Sequence, residues 1–527
     1  MKSLVRAVPI LHTTAAMTIL RKLLHALVCS AVAALTLAPF AAASGVTLTT
    51  SAICKGGTGT DCGTVTASAT TCKRNCIITV QANPAVNWNF DHWEGDASGT
   101  TNPTTVRMTS DKQVTAVFVS TSTPPPPPPP RAGPEVIGYF IQWGIYARNY
   151  LVRDVVRTGA APTLSVINYA FAGIADDLTC ASLDTFADWG KRFDASESVD
   201  GVGDTVAQPL KGNFNQLKKL KALYPQIRVV ISIGGWNDSA RFSDAALPAN
   251  RAKFVASCVN MFIKGQFAAG IVDTGVFDGI DIDWEYPGAC GATCNWRADD
   301  TDNFTALLRE FRNKLVEASL GRDLLLTVGT PAAKSLHDKI QLSAVAGVVD
   351  WMNVMAYDFH GSWEPSGPTN HHANLYKGLA DPSVPNFSAD GTVQEYFSGA
   401  VPANKIALGL PFYGRGWARV PEGNNHGLYQ SAGSIPRGTY ERGIEDYKTL
   451  KSKGYLEFWD NDAAKAGWLY NGSLFWTFDS PRAVTEKIRY VCMNRLKGVM
   501  FWELSGDDGT LVKAIADYLA PTTLACP

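Results

Sequence analysis

Three carboxylates recur at every second position of Phe277-Asp-Gly-Ile-Asp-Ile-Asp-Trp-Glu-Tyr-Pro287: Asp281, Asp283 and Glu285. Successive side chains of a β-strand point to opposite faces. The three acids therefore share one face, and Ile280, Ile282 and Trp284 share the other. Neighbours in such a row stand roughly 6–7 Å apart. Ionised carboxylates at that spacing repel, and burial makes the repulsion worse. A fold accepts this where a proton has to be shared or displaced, which is acid–base chemistry. Val276 and Phe277 before the row, its aliphatic side and its aromatic-Pro exit mark a buried strand that ends at a cleft.

The stretch needs a scaffold, and from Pro134 onward the pattern alternates strands with helices. Val136–Ile141, Leu164–Phe171, Ile227–Ile233, the acidic stretch, Leu324–Val328, Trp351–Tyr357, Ile406–Leu410 and Val499–Trp502 read as eight strands. Between the fourth and fifth, Phe304, Leu307, Leu308, Phe311 and Leu315 fall on one helical stripe. Ser480-Pro481 opens a helix before the last strand. Eight strands with crossovers predict an α/β fold, a (β/α)8 TIM barrel. Gly416 to Gly498 is far too long for one loop and one helix. Tyr455–Trp459 and Ser473–Phe478 read as strands within it, so an α+β insertion is expected at about 417–478, between strands seven and eight.

In such a barrel the active site lies at the carboxyl ends of the strands. There the sequence places Tyr139, Phe171 and Gly235-Trp236 from strands one to three, and Glu285-Tyr286 from strand four. Strand six brings Met355-Ala-Tyr-Asp358, strand seven Tyr413-Gly-Arg415, and strand eight Trp502. An acid row ringed by aromatics suits a carbohydrate: sugar rings stack on Trp and Tyr, and one carboxylic acid protonates a leaving oxygen.

Asp278-Gly-Ile-Asp-Ile-Asp-Trp-Glu-Tyr-Pro287 resembles the signature of family 18 glycoside hydrolases, the chitinases. Ser232-Ile-Gly-Gly235, Met355-Ala-Tyr-Asp358, Tyr413-Gly-Arg415 and Trp502 match further motifs of that family in order, over 134 to about 515. The resemblance implies a hydrolase of β-1,4 linkages between N-acetylglucosamine units of chitin. Glu285 would be the general acid and then the base. Asp283 would orient the substrate's 2-acetamido group, whose carbonyl oxygen attacks the anomeric carbon, a substrate-assisted exception to the two-carboxylate scheme. Asp281 would share a proton with Asp283 from below, and Tyr357 would donate to the acetamido oxygen. Asp358 would bond to the sugar, and Trp502 would floor the subsite of the distorted ring. Tyr286, Tyr413, Arg415 and Trp236 would line neighbouring subsites, with Met355, Gly235, Tyr139 and Phe171 completing the substrate contacts. Chitin or its oligosaccharides are the implied partner. No metal and no cofactor is expected.

The remainder of the 527-residue chain reads as appendages. Arg21-Lys22, the apolar run Leu23–Phe40 and the small residues Ala41-Ala-Ala-Ser44 predict a signal peptide within 1–44, cut near Ala43, and hence a secreted, extracellular protein. No later stretch has the ~18 apolar residues of a membrane span. Residues 45–119 carry short Thr/Val-rich strands between turn residues and predict a small all-β module stapled by disulfides. Within it, 90–118 resembles the divergent internalin-type repeat of bacterial surface proteins. Trp88 and Trp93 either pack its core or face a polysaccharide. Residues 120–133 contain seven prolines, Pro124–Pro130, and predict an extended linker before the catalytic region at 134–527. Ten cysteines remain beyond the leader, which fits disulfides in an oxidising compartment, with Cys290 and Cys294 as the best single pair. A formal net charge of −1 argues against a nucleic-acid partner. Nothing sets the oligomeric state, and a monomer is the expectation.

Overall fold

The apolar half of the acidic strand explains where the core lies. Ile280, Ile282 and Trp284 are buried in the layer between strands and helices, where Trp284 stacks on Phe242 at 5.3 Å and meets Phe304 edge-on at 5.7 Å. The opposite face, carrying Asp281 and Asp283, points into the barrel. In this computed structural model the described residues are 45–55, 62–85, 88–120, 133–319, 322–460, 463–520 and 526. The expected signal peptide and nearly all of the proline-rich linker lie outside them. The described residues form two compact units, before and after position 124.

In the second unit the barrel strands are β1 (Glu135–Ile141), β2 (Val166–Ile174), β3 (Arg228–Gly234), β4 (Gly279–Asp283), β5 (Leu325–Pro331), β6 (Trp351–Met355), β7 (Ile406–Pro411) and β8 (Gly498–Trp502). They pair in parallel in chain order, and β8 returns to β1, so the sheet closes. Closure removes the sheet edges and leaves an interior that side chains must fill. Ile137, Val166, Val230, Leu325, Trp351, Ala407 and Met500 fill it from below, and Tyr139, Phe171, Tyr357 and Trp502 from above. Helices such as Gly212–Leu223, Asp300–Ala318 and Pro481–Met493 cover the outside. The stripe of Phe304, Leu307, Leu308, Phe311 and Leu315 is fully buried there, as its spacing predicts.

The insertion is a five-stranded antiparallel sheet in the order Ile444–Asp446, Tyr413–Ala418, Leu474–Phe478, Ala466–Tyr470, Leu456–Asp460, with the helix Tyr447–Ser452. It begins at Tyr413, directly after β7, so Tyr413 and Arg415 belong to its sheet and not to the end of a barrel strand. Disulfides join Cys180 to Cys258, Cys290 to Cys294 and Cys492 to Cys526. Among the described residues no helix is long and apolar enough to cross a membrane.

The first unit holds two small sheets, one built on Val46–Lys55, Trp88–Gly95 and Lys112–Ser120, the other on Gly63–Ala67, Ile77–Pro84 and Thr104–Arg107. Trp93 is in its core and donates its indole N–H to the Thr101 carbonyl at 2.9 Å, while Trp88 packs at the edge of that core. Cys72 and Cys76 are bridged.

Candidate active site

Cross-strand register builds the site from the bottom. Asp281 on β4 stands level with Ser232 on β3 and Thr327 on β5. Both hydroxyls donate to its carboxylate, Ser232 at 2.7 Å and Thr327 at 2.5 Å, joined by Tyr139 Oη from β1 at 2.9 Å and Asn353 Nδ2 from β6 at 3.1 Å. Asp281 is completely buried. Burial raises its carboxyl above the ordinary range, against the pull of these four donors.

Asp283 lies one step up the same face. One of its buried carboxylate oxygens, Oδ1, has no hydrogen-bond partner among the described residues. Burial, Glu285 and Asp281, in that order, hold its carboxyl well above the ordinary range. The space it occupies depends on Gly329 of β5, where a Cβ would lie 2.4 Å from Asp283 Oδ1. The main chain around it is fixed by Gly235, whose N–H donates to the Asp283 carbonyl at 2.8 Å, and by Ser239, whose hydroxyl donates to the same carbonyl at 3.1 Å. Ser239 Oγ also accepts the Glu285 N–H at 2.9 Å. Gly235 has φ +82 and abuts the Phe171 ring, so this turn has no room for a side chain.

Glu285 sits just beyond the strand, at the mouth. Burial pushes its carboxyl up to about 7; the Tyr286 hydroxyl opposes the rise, and the charge on Asp358 adds to it. A carboxyl in this range can donate and retrieve a proton near neutral pH. Tyr357 faces Asp283, Asp358, Glu285 and Asp281. Burial first, then these acids, raise its phenol well above the ordinary value, so it remains a hydrogen-bond donor.

Asp358 is built differently. Its Oδ1 accepts Tyr413 Oη at 2.8 Å and Arg415 Nε at 2.8 Å, and its Oδ2 accepts Arg415 Nη2 at 2.6 Å. Burial alone would raise its carboxyl. The bidentate guanidinium, with His372 at 3.5 Å, outweighs burial and holds it well below the ordinary range. Arg415 in turn lies over the Trp363 ring at 4.9 Å.

The floor is aromatic. Trp502 stacks on Phe171 at 5.5 Å with an interplanar angle of 16°, and meets Tyr139 at 5.4 Å and Trp143 at 6.4 Å. Met355 is packed beneath, in the interior cluster. Trp236 is about half exposed and meets Tyr286 edge-on at 6.5 Å, forming the rim on the β3–β4 side.

A protonatable acid over an aromatic floor, with a second acid offering an unpartnered oxygen, is equipped for proton transfer to a leaving oxygen of a bound sugar. Residues 135–507 match the family described as Glycosyl hydrolases family 18. The chain belongs to that family. Residues 56–122 match the Divergent InlB B-repeat domain. Over 398 residues the chain is 39% identical to chitinase C of Streptomyces lividans, covering 74% of this chain and 60% of that protein. With chitinase A1 of Niallia circulans it shares 36% identity over 418 residues, covering 71% of this chain and 56% of that protein. The chain thus spans 56–60% of the length of these relatives. Among solved structures, the catalytic domain of psychrophilic chitinase B from Arthrobacter TAD20 aligns with a TM-score of 0.70 at 37% identity, covering 75% of this chain and 98% of that one.

The structure brings Asp281, Asp283, Glu285, Tyr357, Asp358, Tyr139, Phe171 and Trp502 to the mouth of this family 18 barrel. Tyr413 and Arg415 reach it from the insertion, and Trp236 and Tyr286 stand at its rim. Sequence reasoning missed Thr327, Asn353, Ser239 and Gly329, which hold the acid row from neighbouring strands and turns, and the aromatics Trp143 and Trp363. Trp143 lies two residues beyond the β1 strand end, and that position was the signal available for it.

Proposed function

We propose that this chain is a secreted chitinase that hydrolyses β-1,4 linkages between N-acetylglucosamine units of chitin, with retention of configuration. Export rests on the leader-like N-terminus, and the substrate class on the named relatives and the aromatic floor.

The observation that carries the mechanism is the contrast between Glu285, poised at about 7, and Asp283, which presents an unpartnered oxygen beside it. In this mechanism Asp283 Oδ1 accepts the N–H of the 2-acetamido group and turns its carbonyl oxygen toward the anomeric carbon. Tyr357 donates to that carbonyl oxygen. As the oxygen bonds to the anomeric carbon, the bond to the leaving oxygen breaks, and Glu285 transfers its proton there. The cyclic oxazolinium ion so formed is opened by water from the face the leaving group vacated. Glu285, now a carboxylate, takes the proton from that water, so two inversions give retention. Asp281 adjusts Asp283 from below, Asp358 faces the sugar, and Trp502 carries the ring. Asp358, clamped by Arg415, is not free to act as a second nucleophile, and the substrate's own acetamido group fills that role.

Release of fluorophore from an N-acetylchitobiose conjugate by the parent chain and by Glu285→Gln tests this. The parent releases it and the variant does not; equal release overturns the mechanism.

A further inference from the structure

On the outer side of β2, away from the cleft, a buried carboxylate joins four elements. Asp188, in the helical turn Phe186–Gly190, accepts Gln142 Nε2 at 2.7 Å and Tyr169 Oη at 2.6 Å on Oδ1, and Ser182 Oγ at 2.5 Å on Oδ2. Asn213, from the helix Gly212–Leu223, donates to Tyr169 Oη at 3.0 Å and to the Gln142 carbonyl at 3.2 Å. Gly212 has φ +64, and a Cβ there would lie 2.4 Å from the Asp188 carbonyl oxygen, so the helix start is seated directly on this turn. Trp189 anchors the turn against Phe214 and Phe267.

Among the described residues the Asp188 carboxylate is bonded only to neutral donors. A buried acid without a cation is a poor source of stability, because its desolvation is repaid only in part. A buried polar network whose carboxylate accepts three hydrogen bonds does fix geometry. What it fixes is the 3-10 turn Gln142–Ile145 that leaves β1. Gln142 is buried against Asp188, whereas the next residue, Trp143, is 39% exposed and meets both Phe171, at 6.3 Å, and Trp502, at 6.4 Å. The far end of the turn is tied by Tyr146, whose hydroxyl donates to Asp184 at 2.6 Å. The same short segment, 184–188, thus holds the turn at both ends.

We propose that Asp188 is a positioning residue for the aromatic floor: through Gln142 it sets the plane of Trp143 beside Trp502, and so the affinity for substrates long enough to reach Trp143. This assignment rests on the chitin hydrolysis proposed above. It separates two properties of the cleft. The acid row governs turnover, and the Asp188 network governs how firmly the outer sugars are held.

The test compares a short substrate, the N-acetylchitobiose conjugate, with N-acetylchitohexaose. Asp188→Ala risks unfolding, so the working variants are Asp188→Asn, of equal size, and Gln142→Met, which leaves Asp188 its Tyr169 and Ser182 donors. Both should raise KM for the hexamer by about 3–10-fold, the scale of one misplaced aromatic contact. For both substrates kcat should stay within about twofold, and KM for the short conjugate should change less than KM for the hexamer. Gln142→Met added to Trp143→Ala should raise KM no further than Trp143→Ala alone, because both act through one ring. Equal KM changes on the two substrates, a fall in kcat on both, or full additivity with Trp143→Ala would overturn the assignment while leaving the hydrolysis intact. A parent chain that cleaves neither substrate overturns both.

Discussion

Two acids in this cleft are of one type, and their surroundings push their carboxyls in opposite directions. At the end of β4, Asp283 has two acidic neighbours and no cation, and its carboxyl is held well above the ordinary range. After β6, Asp358 has the Arg415 fork and the Tyr413 hydroxyl, and its carboxyl is held well below it. Burial acts in the same direction on both, so the neighbouring charge decides the outcome. The barrel thereby sets a row of carboxyls held high beside one held low. Glu285 ends that row, and the Asp358 charge adds to the rise of its carboxyl.

The sharpest way to break this comparison is to remove the acid that the row serves. Glu285→Gln should lower kcat on the N-acetylchitobiose conjugate by about 10²–10⁴-fold, the usual contribution of a general acid, with little change in KM. Removing the cation comes next. Arg415→Met leaves Asp358 without its counter-charge and should cost about 2–4 kcal/mol in urea unfolding, less than for a fully enclosed pair because Asp358 partly faces the cleft. The carboxyl of Asp358 should rise in that variant. Removing the fixed charge instead, by Asp358→Asn, takes away an interaction that raises Glu285. Glu285 works as an acid below its pKa and loses activity as pH rises through it. The alkaline limb of kcat/KM against pH should therefore move to lower pH in Asp358→Asn.

The last effect is on the pH dependence of stability. Between about 4.5 and 7 the folded chain keeps on Glu285 a proton that the unfolded chain has released. Folding stability from this group therefore falls as pH rises through that window. Glu285→Gln lacks the group, so its melting temperature relative to the parent should increase from pH 5 to pH 8.

The acid row was legible because a period of two is a local property, and Asp281, Asp283 and Glu285 share one stretch. The eight strands were legible for the same reason, each being a short apolar run between turn residues. The supports of the row were not. Thr327 and Asn353 are ordinary polar residues within apolar strands, and only the closed register sets them around Asp281; Ser232 stood in a motif, but its bond to Asp281 was equally hidden. Arg415 was legible as a residue of the cleft, but its pairing with Asp358 spans 57 positions and depends on where the insertion sheet begins. Trp93 of the first unit reads more readily as core than as binding surface, and the sheets place it in the core. The Asp188 network was silent in sequence because Gln142, Tyr169, Ser182 and Asn213 come from four elements with no shared spacing.

The division of labour in the row is tested most directly by the substrate. Two fluorogenic chitobiose conjugates, differing only in whether the sugar at the cleaved bond keeps its N-acetyl group, should be compared on the parent chain. With the acetamido group as nucleophile and Asp283 as its holder, only the acetylated conjugate releases fluorophore. Release from both at equal rates would contradict the account.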